Sequence, residues 1–322
     1  MKAIVHYTYG TPDVLELVDL EKPVPADDEV LVRIHASSVN PAEWYSVTGL
    51  LVARTQAGLR RPKEPRVGTD FAGVVEAVGA GRTDFAPGDE VYGGRTGAFA
   101  EYVSVKNAIV PKPANISFEQ AAAIPIAGLT ALQGLRDHGQ LQPGQSVLVN
   151  GASGGVGTFA VQIAKALGGD VTAVCSTQNV EQARALGADR VIDYTREDFT
   201  RSGERYDLFL DVAGSRSWSE CRRLLNPDST FVVVGARRRG KGRLIGPLGH
   251  VVKIKVASLR ADQKVVFFIA KLTAEDLLVM NELVEAGKVT PVVERRYPLS
   301  ETAAALNYLG EGHAQGKIVV TV

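Results

Sequence analysis

The chain is 322 residues long, with 36 basic against 36 acidic side chains, 45% hydrophobic residues and 22% charged ones. Such a length accommodates two globular domains, and a net charge of zero carries no electrostatic footprint for a nucleic-acid partner. Two cysteines, Cys175 and Cys221, are too few for a disulfide framework, no window reaches the roughly eighteen apolar residues of a membrane span, and no basic-then-apolar leader opens the sequence, so a cytoplasmic setting is expected.

Up to about residue 120, short alternating apolar runs are broken by Gly, Pro and Asp, which predicts antiparallel strands. The candidates are Lys2–His6, Val14–Val18, Glu29–Ser37, Phe71–Val78, Glu90–Tyr92 and Phe99–Val105, with turns at Pro25-Ala26-Asp27-Asp28 and Pro87-Gly88-Asp89. A compact, partly open β-barrel would bury their apolar faces. A helix follows near Phe118–Leu135, with Ser117 placed as N-cap and Gln120 as its capping-box partner.

The most informative stretch is Ser146-Val147-Leu148-Val149-Asn150-Gly151-Ala152-Ser153-Gly154-Gly155-Val156-Gly157, an apolar strand running into a glycine-rich turn and then a helix. Glycines let the backbone turn tightly and approach phosphates without a Cβ in the way, while the first N–H groups of the helix offer donors and partial positive charge. In register the turn reads Ala152-x-Gly154-x-x-Gly157, one alanine away from the strict dinucleotide fingerprint, and Ser153, Gly154, Gly155 and Val156 are the candidate pyrophosphate-binding residues. A glycine turn without cofactor duty is the alternative, and its context weighs against that. Helix Thr158–Leu167, its stop at Gly168-Gly169 and the strand Asp170–Cys175 complete a βαβ unit. Alternation continues through a helix at Val180–Leu186, strands at Arg190–Asp193 and Asp207–Asp211, a helix near Trp218–Leu225 and a strand at Thr230–Val234, which predicts a doubly wound parallel sheet.

Cofactor choice turns on the end of the second strand of that sheet. An NAD-preferring site carries an Asp or Glu about 20 residues past the glycine turn, where it would repel a 2′-phosphate. Here the strand runs out as Val174-Cys175-Ser176-Thr177-Gln178-Asn179 without an acid, and Ser176, Thr177 and Asn179 can donate to phosphate oxygens, which favours NADP(H). The plainer alternative is that these three only form a turn. The cations of Arg237-Arg238-Arg239-Gly240-Lys241-Gly242-Arg243 would attract a phosphorylated cofactor or an anionic surface, or form a solvated loop. Peripheral membrane contact through Leu244–Leu259 stays open.

Beyond about residue 265 the pattern shifts again. Val265–Ala270 reads as an apolar strand, suited at a sheet edge to pairing across a dimer. Thr273 then caps a helix from Ala274 to Ala286, with Asp276 as its acid and Gly287 as its stop. A strand near Val289–Val293, a helix capped by Ser300 and running to about Leu309, and a terminal strand Lys317–Val322 complete the chain, and this tail belongs with the N-terminal part.

Taken together, these residues resemble the medium-chain dehydrogenases/reductases, in their zinc-independent quinone oxidoreductase branch. The resemblance is carried by Ser38-Val39-Asn40-Pro41-Ala42-Glu43, Gly68–Val75, Pro87–Val91, Ala127–Ala131, the glycine turn, Leu186–Asp189 with Val191–Tyr194, and Gly312–Lys317. It covers essentially the whole chain and implies an α/β protein: a GroES-like β-barrel substrate domain of residues 1–120 and 265–322 around a Rossmann domain of residues 121–264. It also implies that no metal takes part, since the stretches where the alcohol-dehydrogenase branch carries a cysteine and a His-Glu pair read Pro41-Ala42-Glu43 and Thr69-Asp70 here. The histidines His6, His35, His138, His250 and His313 show no ligand spacing.

The same resemblance places Tyr194 on the adenosine side, the loops at Gly214 and Gly235 beside the nicotinamide ribose, Phe268 near the nicotinamide, and His313 and Lys317 at the cofactor cleft. An ordinary strand-end aromatic and core packing are the alternatives for Tyr194 and Phe268. Asn40 and Tyr45 fall where the family lines its substrate pocket, and either could hydrogen-bond a carbonyl or simply brace a barrel loop. The expected function is NADPH-dependent reduction of small, apolar electrophiles, quinones or α,β-unsaturated carbonyls, which needs a hydride, a donor to the substrate oxygen and a proton source. The alternative is an NADPH-binding sensor or interaction protein with weak or no turnover. A homodimer and a monomer are both compatible with the sequence.

Overall fold

The computed structural model describes residues 1–50, 54–55, 57–235, 246–259, 261–312 and 314–322. The chain divides into two compact units, one of Met1–Leu129, Leu272–Gly287 and Pro291–Val322, the other of Thr130–Lys271 with Lys288–Thr290.

Strands β1 (Lys2–Val5), β2 (Glu16–Asp19) and β3 (Val30–Ser38), helix α1 (Pro41–Thr48), then β4 (Asp70–Val78), β5 (Glu90–Gly94), β6 (Tyr102–Val105) and β7 (Ile109–Pro111) open the first unit. Pro41 costs α1 no hydrogen bond at its first position, and Asn40 and Glu43 close a capping box around that end. Ser117 caps α2 (Phe118–Ala122) as expected: its hydroxyl accepts from the Gln120 N–H, and the Gln120 side chain accepts from the Ser117 N–H. The single helix expected to run on to Leu135 is broken. α3 (Pro125–Gln133) restarts at a proline, whose ring and missing N–H disfavour continuation through the residue before it.

The second unit contains β8 (Ser146–Asn150), α4 (Gly155–Ala166), β9 (Asp170–Cys175), α5 (Val180–Ala185), β10 (Arg190–Asp193), β11 (Tyr206–Asp211), α6 (Trp218–Cys221), β12 (Leu225–Val233), α7 (Gly246–Ala257) and β13 (Lys264–Phe267). Six strands form a parallel sheet in the order β10-β9-β8-β11-β12-β13. The chain winds outward from β8 through β9 and β10, then returns to the centre and winds the other way from β11. The crevice beyond the carboxyl ends of β8 and β11 is therefore the switch point where an open sheet receives its ligand. Val147, Leu148 and Val149 are fully buried, as a parallel strand covered on both faces requires. Phe209 and Phe231 meet edge to face with centroids 4.9 Å apart beneath Trp218.

Helix α8 (Ala274–Glu285), β14 (Val293–Pro298), α9 (Thr302–Glu311) and β15 (Lys317–Thr321) return to the first unit. There β14-β15-β3-β4-β5-β7 form one sheet, with β6 also on β3. The architecture is the expected α/β one, a β-domain split around a doubly wound parallel sheet.

The boundaries move. Residues 265–271 lie with the parallel sheet, because Val265 and Val266 pair with Phe231 and Val232 of β12, and residues 121–129 lie with the β-domain. The strand expected at Val289–Val293 starts only at Val293, since Pro291 has no N–H to lend a ladder. Ser300 is not a cap: a 3-10 turn, Leu299–Glu301, precedes α9, and the Thr302 hydroxyl donates to the Leu299 carbonyl at 2.7 Å.

A Cβ on Gly157 would collide with the Gly151 carbonyl oxygen and stand 2.7 Å from the Ala152 carbonyl carbon, whereas one on Gly154 would meet only an ordinary contact at 3.7 Å. Gly157→Ala should therefore cost about 1–3 kcal/mol in stability, visible as a lowered thermal midpoint, while Gly154→Ala stays near wild type. Equal midpoints for the two variants would refute this close approach of α4 to the turn.

Candidate functional site

In the parallel-sheet unit, the glycine turn grows from the end of β8 and is tied to its neighbour strand. Gly151 has φ +87°, and the N–H groups of Gly151 and Ala152 both donate to the Val174 carbonyl, at 3.2 and 3.1 Å. α4 then begins at Gly155 behind Gly154, with no side chain capping its first turn. Ser153, Gly154, Gly155 and Val156 are half-buried at the rim, while Gly157 and Thr158 are buried below. An uncapped helix start with no Cβ at three of its leading positions is a cradle that fits a phosphate group.

The floor under this turn is polar. Asn150 and Asp211, opposite each other at the ends of β8 and β11, are joined by an Asn150 Nδ2–H donating to Asp211 Oδ1 at 2.8 Å. The Gly214 N–H donates to the same oxygen at 2.9 Å, which holds Gly214 in its left-handed conformation (φ +55°). Gly235 packs against the Val212 carbonyl and its N–H donates to the Asp211 carbonyl at 3.2 Å. The structure thus brings Gly214 and Gly235 to the same carboxyl edge as the glycine turn. Asp211 Oδ2 is buried without a partner, and burial pushes the carboxyl up to about 6.

At the end of β9, Ser176, Thr177 and Asn179 lie together, with Asn179 buried and its Nδ2–H donating to Ser176 Oγ at 3.0 Å. The corner is not free of acid. Parallel pairing sets Asp193 of β10 beside Cys175, and the Thr177 hydroxyl donates to Asp193 Oδ2 at 2.6 Å. That bond, with donors from Thr195, holds the Asp193 carboxyl below its usual range and ionised. Arg196 answers it, with Nε 3.5 Å from Asp193 Oδ2 and a side chain 77% exposed. Tyr194 stands between them, exposed, its N–H donating to the Cys175 carbonyl at 3.0 Å. The sequence reading missed Asp193 and Arg196 because it followed one strand end; the signal was the register of the next.

Phe268 lies beyond β13, its ring 4.2 Å from that of His138 and close to Gly134. His313 and Arg237–Arg243 are outside the described residues.

Two other expected site residues belong to the β-domain. Lys317 and Asn40 belong to a buried polar cluster in the β-domain, built from the ends of β3, β4 and β15 and the start of α1. Lys317 Nζ donates to Asn40 Oδ1 at 2.5 Å and the Val39 carbonyl at 3.2 Å, and stands 3.7 Å from Asp70 Oδ2. Asp70 in turn accepts from Ser38 Oγ at 2.7 Å, Asn40 Nδ2 at 2.9 Å and the Ile126 N–H at 3.1 Å. Lys317 is 3% exposed and Asp70 0%, so neither is a surface ligand for a phosphate. Asn40, 2% exposed, has both ends of its amide engaged and is spent on this cluster rather than offered to a substrate carbonyl. Tyr45, one turn along α1, is half-buried and edge-on to Trp44 at 5.7 Å.

Glu43 completes the cluster. Its Oε2 accepts from the Asn40 N–H at 2.7 Å, and its Oε1 is buried. Burial first, and the nearby Asp70 charge second, push the Glu43 carboxyl up to about 7. Burial likewise lowers Lys317, opposed by Asp70 and Glu43. A protonated Glu43 beside an Asp70–Lys317 ion pair leaves the cluster neutral.

Because the folded pKa of Glu43 lies above its unfolded value, the fold binds this proton more tightly than the open chain does. The stabilisation is complete below about pH 4.5 and is lost as pH rises through about 7. Glu43→Gln should therefore flatten the fall in stability across that window, by on the order of 2–3 kcal/mol, in denaturant titrations at stepped pH. An identical pH profile for the variant and wild type would remove Glu43 as the titrating group.

Comparison with known proteins gives a consistent neighbourhood. Residues 26–114 match the alcohol dehydrogenase GroES-like domain, and residues 186–320 match the zinc-binding dehydrogenase domain. The chain is 35% identical to mouse mitochondrial NAD(P)H oxidoreductase RTN4IP1, covering 100% of this chain and 89% of that one. It is 34% identical to the Arabidopsis thaliana chloroplastic NADPH-dependent alkenal/one oxidoreductase, covering 99% and 79%. The solved structure of a quinone oxidoreductase from Coxiella burnetii superposes with a TM-score of 0.86 at 30% identity, over 100% of this chain and 99% of that one. No helix among the described residues is long and apolar enough to cross a membrane.

Proposed function

Because this chain belongs to the quinone oxidoreductase branch of the medium-chain dehydrogenase/reductase family, we propose that it is an NADPH-dependent reductase of quinones or α,β-unsaturated carbonyls. The observation that carries the reading is the uncapped, glycine-lined start of α4 at the switch point of the parallel sheet. When bound there, NADPH supplies a hydride from C4 of its nicotinamide. The first-turn N–H groups of α4 would hold its pyrophosphate, and Gly214 and Gly235 would keep the adjoining loops free of side chains for its ribose. Arg196, whose one ion-pair partner among the described residues is an acid that Thr177 and Thr195 already satisfy, is the cation for the 2′-phosphate.

Tyr45 is the donor to the substrate oxygen as negative charge develops on it. A metal is not needed in this reading: Glu43 and Asp70, in the two stretches where the zinc-dependent branch keeps ligands, serve a helix cap and an ion pair with Lys317. The proton that completes reduction comes from water. The Arabidopsis relative's named dependence on NADPH supports the cofactor, and its alkenal/one activity with the Coxiella protein's quinone activity supports the substrate class.

NADPH oxidation should be measured against a panel of small quinones and enones. Turnover is expected, and Tyr45→Phe should lower kcat/KM by roughly tenfold or more with little change in NADPH affinity. A protein that binds NADPH and turns over none of the panel would be the sensor instead. Arg196→Glu should weaken NADPH far more than NADH by setting a second acid beside Asp193. Parallel losses for the two cofactors would take the 2′-phosphate away from this corner.

A further inference from the structure

We propose that the outward face of α7 is a docking surface for an anionic lipid bilayer. α7 is anchored by one side only: Val251 and Ile254 are buried in the core that holds Trp218 and Phe231. On the opposite side, Val252, Val256 and Leu259 in the turn that follows are 53%, 62% and 76% exposed. Their spacing of four and then three residues lines them up on a single stripe of a helix that turns about 100° per residue. The same geometry puts Lys253 on one flank of the stripe and Lys255 on the other. An apolar ridge bordered on both sides by lysines is the form of a helix lying in a membrane interface, its aliphatic side chains in the acyl boundary and its ammonium groups at the headgroups.

The surroundings carry the same sign. Between Asp228 and Asp262 the sequence contains no acidic residue, although the whole chain is neutral. Lys253, Lys255 and Arg222 have no ion-pair partner among the described residues. A cavity of about 580 Å³ opens beside the stripe between α6 and α7, lined by Arg222, Lys253, His250, Ser219 and the Trp218 ring. The buried Nε2 of His250 has no hydrogen-bond partner among the described residues. An adjoining hollow of about 370 Å³ adds Arg205 and Arg223, with one acid, Asp262. Two cations, a hydroxyl and an indole suit a phosphodiester headgroup with the root of its chains.

A second copy of the chain fits less well. In a two-fold contact centred on this face the patch meets itself, so Lys253 and Lys255 would face like charge. An anionic bilayer presents the opposite charge and an apolar interior together. Such docking would carry the protein to where lipophilic electrophiles concentrate, yet the surface does not rest on the reductase reading.

The full-length protein should be sedimented with vesicles of phosphatidylcholine alone and of phosphatidylcholine with phosphatidylglycerol, roughly three to one. Binding is expected only to the anionic vesicles, weakening with salt, falling about fivefold for Lys253→Glu and lost in Val256→Glu/Leu259→Glu. These variants lie outside the proposed catalytic and cofactor-binding residues and should keep normal turnover of a water-soluble quinone. That readout also shows that they fold. No binding to either vesicle, or binding that the variants leave unchanged, overturns the proposal. So does protection by inorganic phosphate without vesicle binding, which would mean a free anion site. Conversion of a dimer to a monomer by Val256→Glu/Leu259→Glu, without a lipid effect, would give the face to a second copy instead. The vesicle assay involves no turnover, so its failure leaves the reductase reading untouched.

Discussion

Asp70 lies wholly out of water, and an isolated carboxylate there would cost far more than a small domain can spare. It is tolerated because Lys317, Asn40, Ser38 and the Ile126 amide converge on it from three separate segments. Two of those segments, the end of β3 and β15, are placed by the pairing of β3 with β4 and β15, so the charge and the sheet specify each other. Removing one member of such a cluster leaves a buried group unpaired, which is costlier than the pair is stabilising. The C-terminal strand is therefore part of the β-domain's polar core, although the parallel-sheet unit intervenes in the sequence.

The parallel-sheet unit repeats the device on a smaller scale. Asp211 is buried at the end of β11, accepts from Asn150 and Gly214, and so shapes the loops at the switch point. Above it, Gly151 and Gly157 let the turn and α4 approach more closely than any side chain permits. The result is a rim of backbone donors over a floor of fixed loops, prepared before a ligand arrives. At the edge of that rim, Asp193 and Arg196 set opposite charges beside Thr177. α7, by contrast, is held by two buried aliphatic residues and turns an apolar ridge outward, a face the core does not need.

Local patterns in the sequence determined a great deal. Period-two and βαβ alternation located most strands of the two larger sheets, the caps at Ser117 and Thr273 stand at the expected positions, and the glycine turn could be placed to the residue. These features are legible because each depends on neighbours within a few residues: a hydroxyl three positions from an N–H, a glycine where the backbone turns. The same reasoning erred where proline broke a run, at Pro125 and Pro291, because periodicity was weighed above the missing N–H.

Only the tertiary structure decided which polar residues face a ligand and which are consumed inside. Asn40 and Lys317 look like site residues in sequence, yet each satisfies Asp70, a partner 30 or more positions away. Asp193 and Arg196 could not be placed at the end of β9 from sequence because strand register, not sequence distance, brings them to Thr177. Burial, register and desolvation are sums over contacts distant along the chain. A sequence states which groups can ionise or donate, and folding decides which of them are left free to do so.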